Sequence, residues 1–148
     1  MIPPASPHLR FLCAAPRPIG AALLRGWRGT GFEAGGAVGR LGRRSPGMDA
    51  VLAAAGVRQA VVLGAWNPAS RRWPARRNVA MQARLMLRAR RLRVLEALGR
   101  PARGAWKPEP HLVVPGDARP AIRLARVFRQ HAVLRLRLRA PAVLLVLR

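Results

Sequence analysis

The residues best suited to chemistry gather around one tetrapeptide. Ala65-Trp66-Asn67-Pro68 ends the apolar run Ala60-Val61-Val62-Leu63, and Asn78 follows on an Arg-rich segment. A strand that stops on Trp-Asn-Pro sets an indole and a carboxamide at the rim of a sheet, where folds carry their binding groups. Asn67 precedes a proline and is expected to be extended, its side chain capping the turn that holds Ser70. Glu109, in a Pro-rich stretch, and His131, after a second helical pattern, are polar groups that no core requires. The expectation is one pocket, lined by Trp66, Asn67, Ser70, Asn78, Glu109 and His131, that takes a small polar or anionic ligand. The competing reading is plain turn chemistry, with Trp66 anchored in the core.

Catalytic patterns are harder to find. Ser70 lacks a Gly-x-Ser-x-Gly elbow, Cys13 sits in a Pro-rich segment, and no acid is spaced to orient His131. Glu109 and His111, at alternate positions, would point the same way from an extended strand, but two ligands make no metal site. The glycine-rich stretch from Gly26 to Gly42 lacks Gly-Lys-Ser/Thr, so it is no phosphate cradle. No catalytic residue, metal or cofactor is assigned, and the reading leans away from an enzyme.

Polyanion binding is the alternative. Arg71, Arg72, Arg77, Arg84, Arg88 and Arg91 crowd the segment after the tetrapeptide, with Trp66 and Trp73 nearby as stacking surfaces for a nucleic acid. The chain has 28 Lys+Arg against 5 Asp+Glu, a formal charge of +23. All but Lys107 of the basic residues are Arg, and they are spread over every segment, which is the mark of compositional bias as much as of a patch. A hydrophobic fraction of 51% keeps the chain among globular proteins despite its charge.

The elements that must hold these groups follow from punctuation and periodicity. Residues 1–18 carry five prolines and no period and are expected to form a disordered extension, leaving 19–148 as one domain. Ile19 to Trp27 reads as a helical lead-in, and Val38 to Leu41 as a weak strand. Ser45-Pro46 opens a helix over 46–55 that closes at Gly56. Gln59 to Trp66 is an unbroken apolar strand, so it belongs in the centre of a sheet. Residues 74–91 are helical, with Val79, Ala83 and Met86 on the apolar face. A short strand at Leu92 to Leu95 leads into an irregular loop, and His111 to Val114 is a strand. Asp117 caps the helix that buries Ala121, Leu124, Ala125 and Phe128. Val133 to Arg139 alternates as a half-buried strand does, and Ala142 to Leu147 ends the sheet. The sum is an α+β fold: a small sheet with helices on one face and a ferredoxin-like order of elements. No apolar run reaches membrane-spanning length. A single cysteine and a prolinated, discontinuous N-terminal segment fit a cytoplasmic location.

With Glu109-Pro110 and Phe128-Arg129-Gln130-His131-Ala132-Val133-Leu134, the Ala-Trp-Asn-Pro segment resembles a bacterial family of unknown function, DUF3293, best over 59–147. In that family the tetrapeptide is followed by Ser, then Glu-Asn before a helix, then Glu-Pro-Ser and Phe-Gly-Gln-Asn. Ser70 and Asn78 match this pattern. Arg77 stands at the Glu position, His111 at the Ser, and Arg129 and His131 at the Gly and Asn. The resemblance implies no activity.

Overall fold

The computed structural model describes residues 7–67, 71–101 and 107–148. Twelve elements follow one another: β1 (Leu9–Phe11), α1 (Ala21–Gly29), β2 (Thr30–Ala34), β3 (Ala37–Gly39), α2 (Pro46–Ala54), β4 (Gln59–Leu63), α3 (Ala75–Arg88), β5 (Leu95–Pro101), β6 (Glu109–Pro115), α4 (Ala118–Val127), β7 (Ala132–Arg137) and β8 (Val143–Val146). The strands form one mixed sheet in the order β1-β8-β7-β4-β6-β5-β2-β3. Among the paired strands of the described residues, only β1 and β8 run parallel. The unbroken run of β4 lies between β6 and β7, where both of its faces are covered.

The sheet curls. Leu41, just past the edge strand β3, makes a parallel bridge to Ala142 beside β8, and the Gly42 N–H donates to the Ala142 carbonyl at 2.8 Å. Curling divides the core in two. Ala60 and Val62 of β4 face inward with Leu134, Leu136, Val113 and Ala97, closed by Met48 and Leu52 of α2. Val61 and Leu63 face outward onto Leu85 of α3 and onto Ala121, Ala125 and Phe128, from α4 and the residue after it. Helices therefore cover both sides of the sheet, not one. The expected small sheet is replaced by eight strands, and a ferredoxin-like order does not describe the whole of it. The reason is N-terminal: β2, β3 and α2 extend and close a sheet that the C-terminal elements begin.

Local signals held where side chains cap. Ser45 Oγ accepts from the Met48 N–H at 3.1 Å at the start of α2, and Gly56 takes φ +70 beyond its end. Other segments differ from expectation. Residues 9–11, placed in the disordered extension, form β1, paired with Leu144 to Val146. The loop expected after Leu95 is β5 as far as Pro101, registered against Glu109 to Val113 of β6. On α3 the apolar stripe faces outward, with Val79 59% and Met86 38% exposed, while Asn78 and Leu85 are buried. Asn78 turns inward because its carboxamide has partners there.

Candidate functional site

Five strands end or begin together at one rim of the curl. Leu63 pairs with Leu112, Gly99 with Glu109, Thr30 with Pro101 and Val62 with Leu134. The C-terminal ends of β4 and β5 therefore meet the N-terminal ends of β2, β6 and β7. A cleft of about 290 Å³ opens at this rim, and its lining includes Trp27 of α1, Phe32, Trp66, Glu109, His111 and His131, together with Asn67, Gln130 and Lys107.

Asn67 is the hub. Its Nδ2 donates to Glu109 Oε1 at 3.1 Å. Its Oδ1 accepts from the Trp73 N–H at 3.0 Å and from Asn78 Nδ2 at 2.9 Å, and its own N–H donates to Asn78 Oδ1 at 2.9 Å. Asn78 also donates to the Trp73 carbonyl at 3.2 Å. The expectation of extended geometry before Pro68 is corrected here: Asn67 takes φ +47. Asparagine is among the few non-glycine residues that tolerate this region, and four hydrogen bonds hold it there. Gln130 braces the other side, donating from Nε2 to the carbonyls of Trp66 and Phe128, each at 3.4 Å. Arg129, at the position of the glycine in the resembled pattern, takes φ +55, a conformation that glycine enters without cost.

Both histidines of the cleft make an edge-to-face contact with an aromatic ring. His111 stands edge-on to Phe32 with centroids 5.0 Å apart, and His131 to Trp27 at 5.2 Å. The His111 imidazole also has a glycine on each flank. A Cβ on Gly64 would lie 3.0 Å from His111 Cδ2, and one on Gly99 would lie 3.1 Å from Cε1. His111 Nδ1 lies 3.0 Å from the Glu109 carbonyl oxygen. A carbonyl only accepts, so Nδ1 carries the proton and Nε2 the lone pair.

Burial sets the charge states. It lowers the His111 pKa below the ordinary 6.5, the Glu109 carbonyl partly opposing it. It lowers that of His131 as well, helped by the positive charges of Arg17 and Arg148. Both rings are thus neutral near pH 7. Burial raises the Glu109 pKa above the ordinary 4.5, while the hydrogen bond from Asn67 pulls it back.

Of the six residues expected to form a pocket, Trp66, Asn67, Glu109 and His131 line this cleft. Asn78 lies behind Asn67, buried to 2% exposure, and supports the site without lining it. Ser70 lies outside the described residues. Sequence reasoning passed over Trp27, Phe32, Gln130 and the seating of His111. The Glu109-x-His111 alternation is the available signal for the last, since it sets both side chains on one side of an extended strand. No group of three His, Cys, Asp or Glu stands close enough to hold a metal among the described residues.

The residues of the nucleic-acid alternative lie elsewhere. Arg71, Arg72, Arg77, Arg84, Arg88 and Arg91 are all exposed, but the aromatic partners are not free beside them. Trp66 lines the cleft, and the Arg77 guanidinium sits 5.1 Å over the Trp73 ring. No helix among the described residues is long and apolar enough to cross a membrane.

No curated protein and no solved structure matches the chain. One family model does, that of the protein of unknown function DUF3293, over residues 63–133. These bounds run from the last residue of β4 to the second of β7 and enclose Trp66, Asn67, Asn78, Glu109, His111 and His131. The chain is a DUF3293 domain-containing protein.

Proposed function

We propose that this protein binds a small polar ligand in the cleft at the strand rim, without an assigned catalytic step. One observation carries the reading: Trp66, Asn67, Glu109 and His131, far apart in the chain, border the same 290 Å³ space, a volume at the small end for ligand sites. A turn-forming role for Asn67 alone needs no contact with Glu109, yet the carboxamide spends a donor on it. The antiparallel stretch β7-β4-β6-β5 with α3 and α4 supports reading this half of the sheet as ferredoxin-like, extended on both sides. A single free cysteine supports a reducing, cytoplasmic setting.

The test is a fragment screen followed by NMR. Ligand-induced shifts are expected at the Trp66 indole, His111 and Gln130, and Asn67→Gly is expected to weaken them at least about tenfold by unpinning Glu109. Hits that shift only α3 would overturn this reading in favour of the second one, a nucleic-acid module. That alternative rests on the exposed arginines of α3, which take no part in the three ion pairs found among the described residues.

A further inference from the structure

Glu109 is out of keeping with the rest of this molecule. Glu33, Asp117 and Asp49 each meet an arginine, at 2.8, 2.7 and 3.3 Å respectively, and Glu96, which has no ion pair among the described residues, is exposed to water. Glu109 is half-buried in a chain of 28 cationic side chains, yet it has no ion pair among the described residues. Taking a carboxylate from water without a counter-charge is costly. Its one recorded partner is a neutral amide, on Oε1.

The hydrogen-bond inventory of the cleft leans the same way. Both N–H groups of the Asn78 amide and both of the Gln130 amide are directed at protein acceptors. Thr30 Oγ1 donates to the Gly26 carbonyl at 2.7 Å. Acceptor capacity is offered by the second carboxyl oxygen of Glu109 and by His111 Nε2, whose lone pair is fixed by the Nδ1 contact; the other donors in the lining are the indole N–H groups of Trp27 and Trp66, the second N–H of Asn67 Nδ2 and the Lys107 ammonium. The lining includes Trp27, Phe32 and Trp66, aromatic side chains of the kind that attract cations. The cationic Lys107, also part of the lining, is exposed, so solvent screens it.

We infer that the group recognised in this cleft is a hydrogen-bond-donating cation of amidinium or ammonium type, seated between the Glu109 carboxylate and His111 Nε2 with its apolar body against the indole walls. This rests on the cleft reading above and narrows it. A planar amidinium fits best, because two parallel N–H groups can address two acceptors at once.

Three probes of one shape and different charge decide it: benzamidine, benzamide and benzoate, followed by tryptophan fluorescence and by the His111 ring resonances. Benzamidine is expected to bind at least about tenfold more tightly than either of the others near pH 8. Glu109→Gln, which keeps the acceptor for Asn67, should bring benzamidine down to the level of benzamide. A melting curve checks that this variant is folded. The unmodified protein gives an independent arm. The titratable and charged groups lining the cleft beside Glu109 are His111, His131 and exposed Lys107, with Arg17 and Arg148 acting on His131; benzamidine affinity should fall as acid protonates Glu109, while benzamide affinity stays level. Equal affinities, a preference for benzoate, no binding of benzamidine, or a pH-independent benzamidine affinity would each overturn the cation assignment. Benzoate or benzamide shifting the same resonances with an affinity equal to or above that of benzamidine would do so while leaving the cleft reading intact.

Discussion

Asn67 Nδ2 and Glu109 Oε1 lie 3.1 Å apart across 42 residues of chain. That bond ties the segment after β4 to the first residue of β6, and it fixes the buried carboxyl at the wall of the cleft. The pair joins a backbone in the left-handed region to an acid whose charge is expensive where it sits, so neither residue is at ease without its neighbours.

The hub separates two costs. Asn67→Ala loses the hydrogen bonds to Glu109, to the Trp73 N–H and to Asn78, and adds a Cβ-bearing residue without local compensation at φ +47. A loss of about 2–4 kcal/mol is expected in urea unfolding. Asn67→Gly loses the same bonds without the backbone penalty, so it should retain about 1 kcal/mol more than the alanine variant. If the two variants unfold together, the left-handed geometry at residue 67 carries no cost.

The seat of His111 should show as coupling between residues on adjacent strands. Gly64→Ala would press a methyl against the imidazole, with the Pro110 carbonyl 3.3 Å away on the same side. A cost of about 1–3 kcal/mol is expected. Removing the ring with His111→Ala should make the same Gly64→Ala change cheaper by about 1 kcal/mol or more. Additive costs in the double variant would mean that the glycine serves something other than the imidazole.

Two buried groups should tilt stability with pH in opposite directions. His111 has a folded pKa below 6.5. The unfolded chain therefore binds more protons below that value, and the contribution of His111 is complete above about pH 6.5 and lost as pH falls further. Glu109 has a folded pKa above 4.5. The native state there holds its proton to higher pH, so the contribution of Glu109 is present in acid and lost as pH rises through its folded value. Denaturation midpoints should show Glu109→Gln more stable than the parent at pH 7.5, the gap closing towards pH 4.5. His111→Asn should flatten part of the decline between pH 6.5 and 5.5, and His131, lowered by burial and by Arg17 and Arg148, acts in the same direction. A Glu109→Gln gap that widened on acidification would contradict the raised carboxyl.

The sequence alone determined the elements that carry their own instructions. An unbroken apolar run marked β4 as central, Ser45, Pro46 and Gly56 bounded α2, Asp117 opened α4, and strict alternation marked β7; each signal lies within one segment and is a matter of period or capping. It also singled out Trp66, Asn67, Ser70, Asn78, Glu109 and His131 as candidates for one pocket, the last two as polar groups that no core requires. Only the tertiary structure decided what lies between segments. The curl that brings Leu41 to Ala142 put helices on both faces and drew β1 and β2 into the sheet from stretches with no period of their own. The inward turn of Asn78 reversed the face assigned to α3, because a buried amide with three polar partners outweighs a stripe of small apolar residues. The seat of His111 between Gly64 and Gly99 exists only once β5 and the end of β4 flank β6. Contacts of this kind join residues by register across strands, and register is set by the packing of the whole sheet rather than by any stretch of sequence.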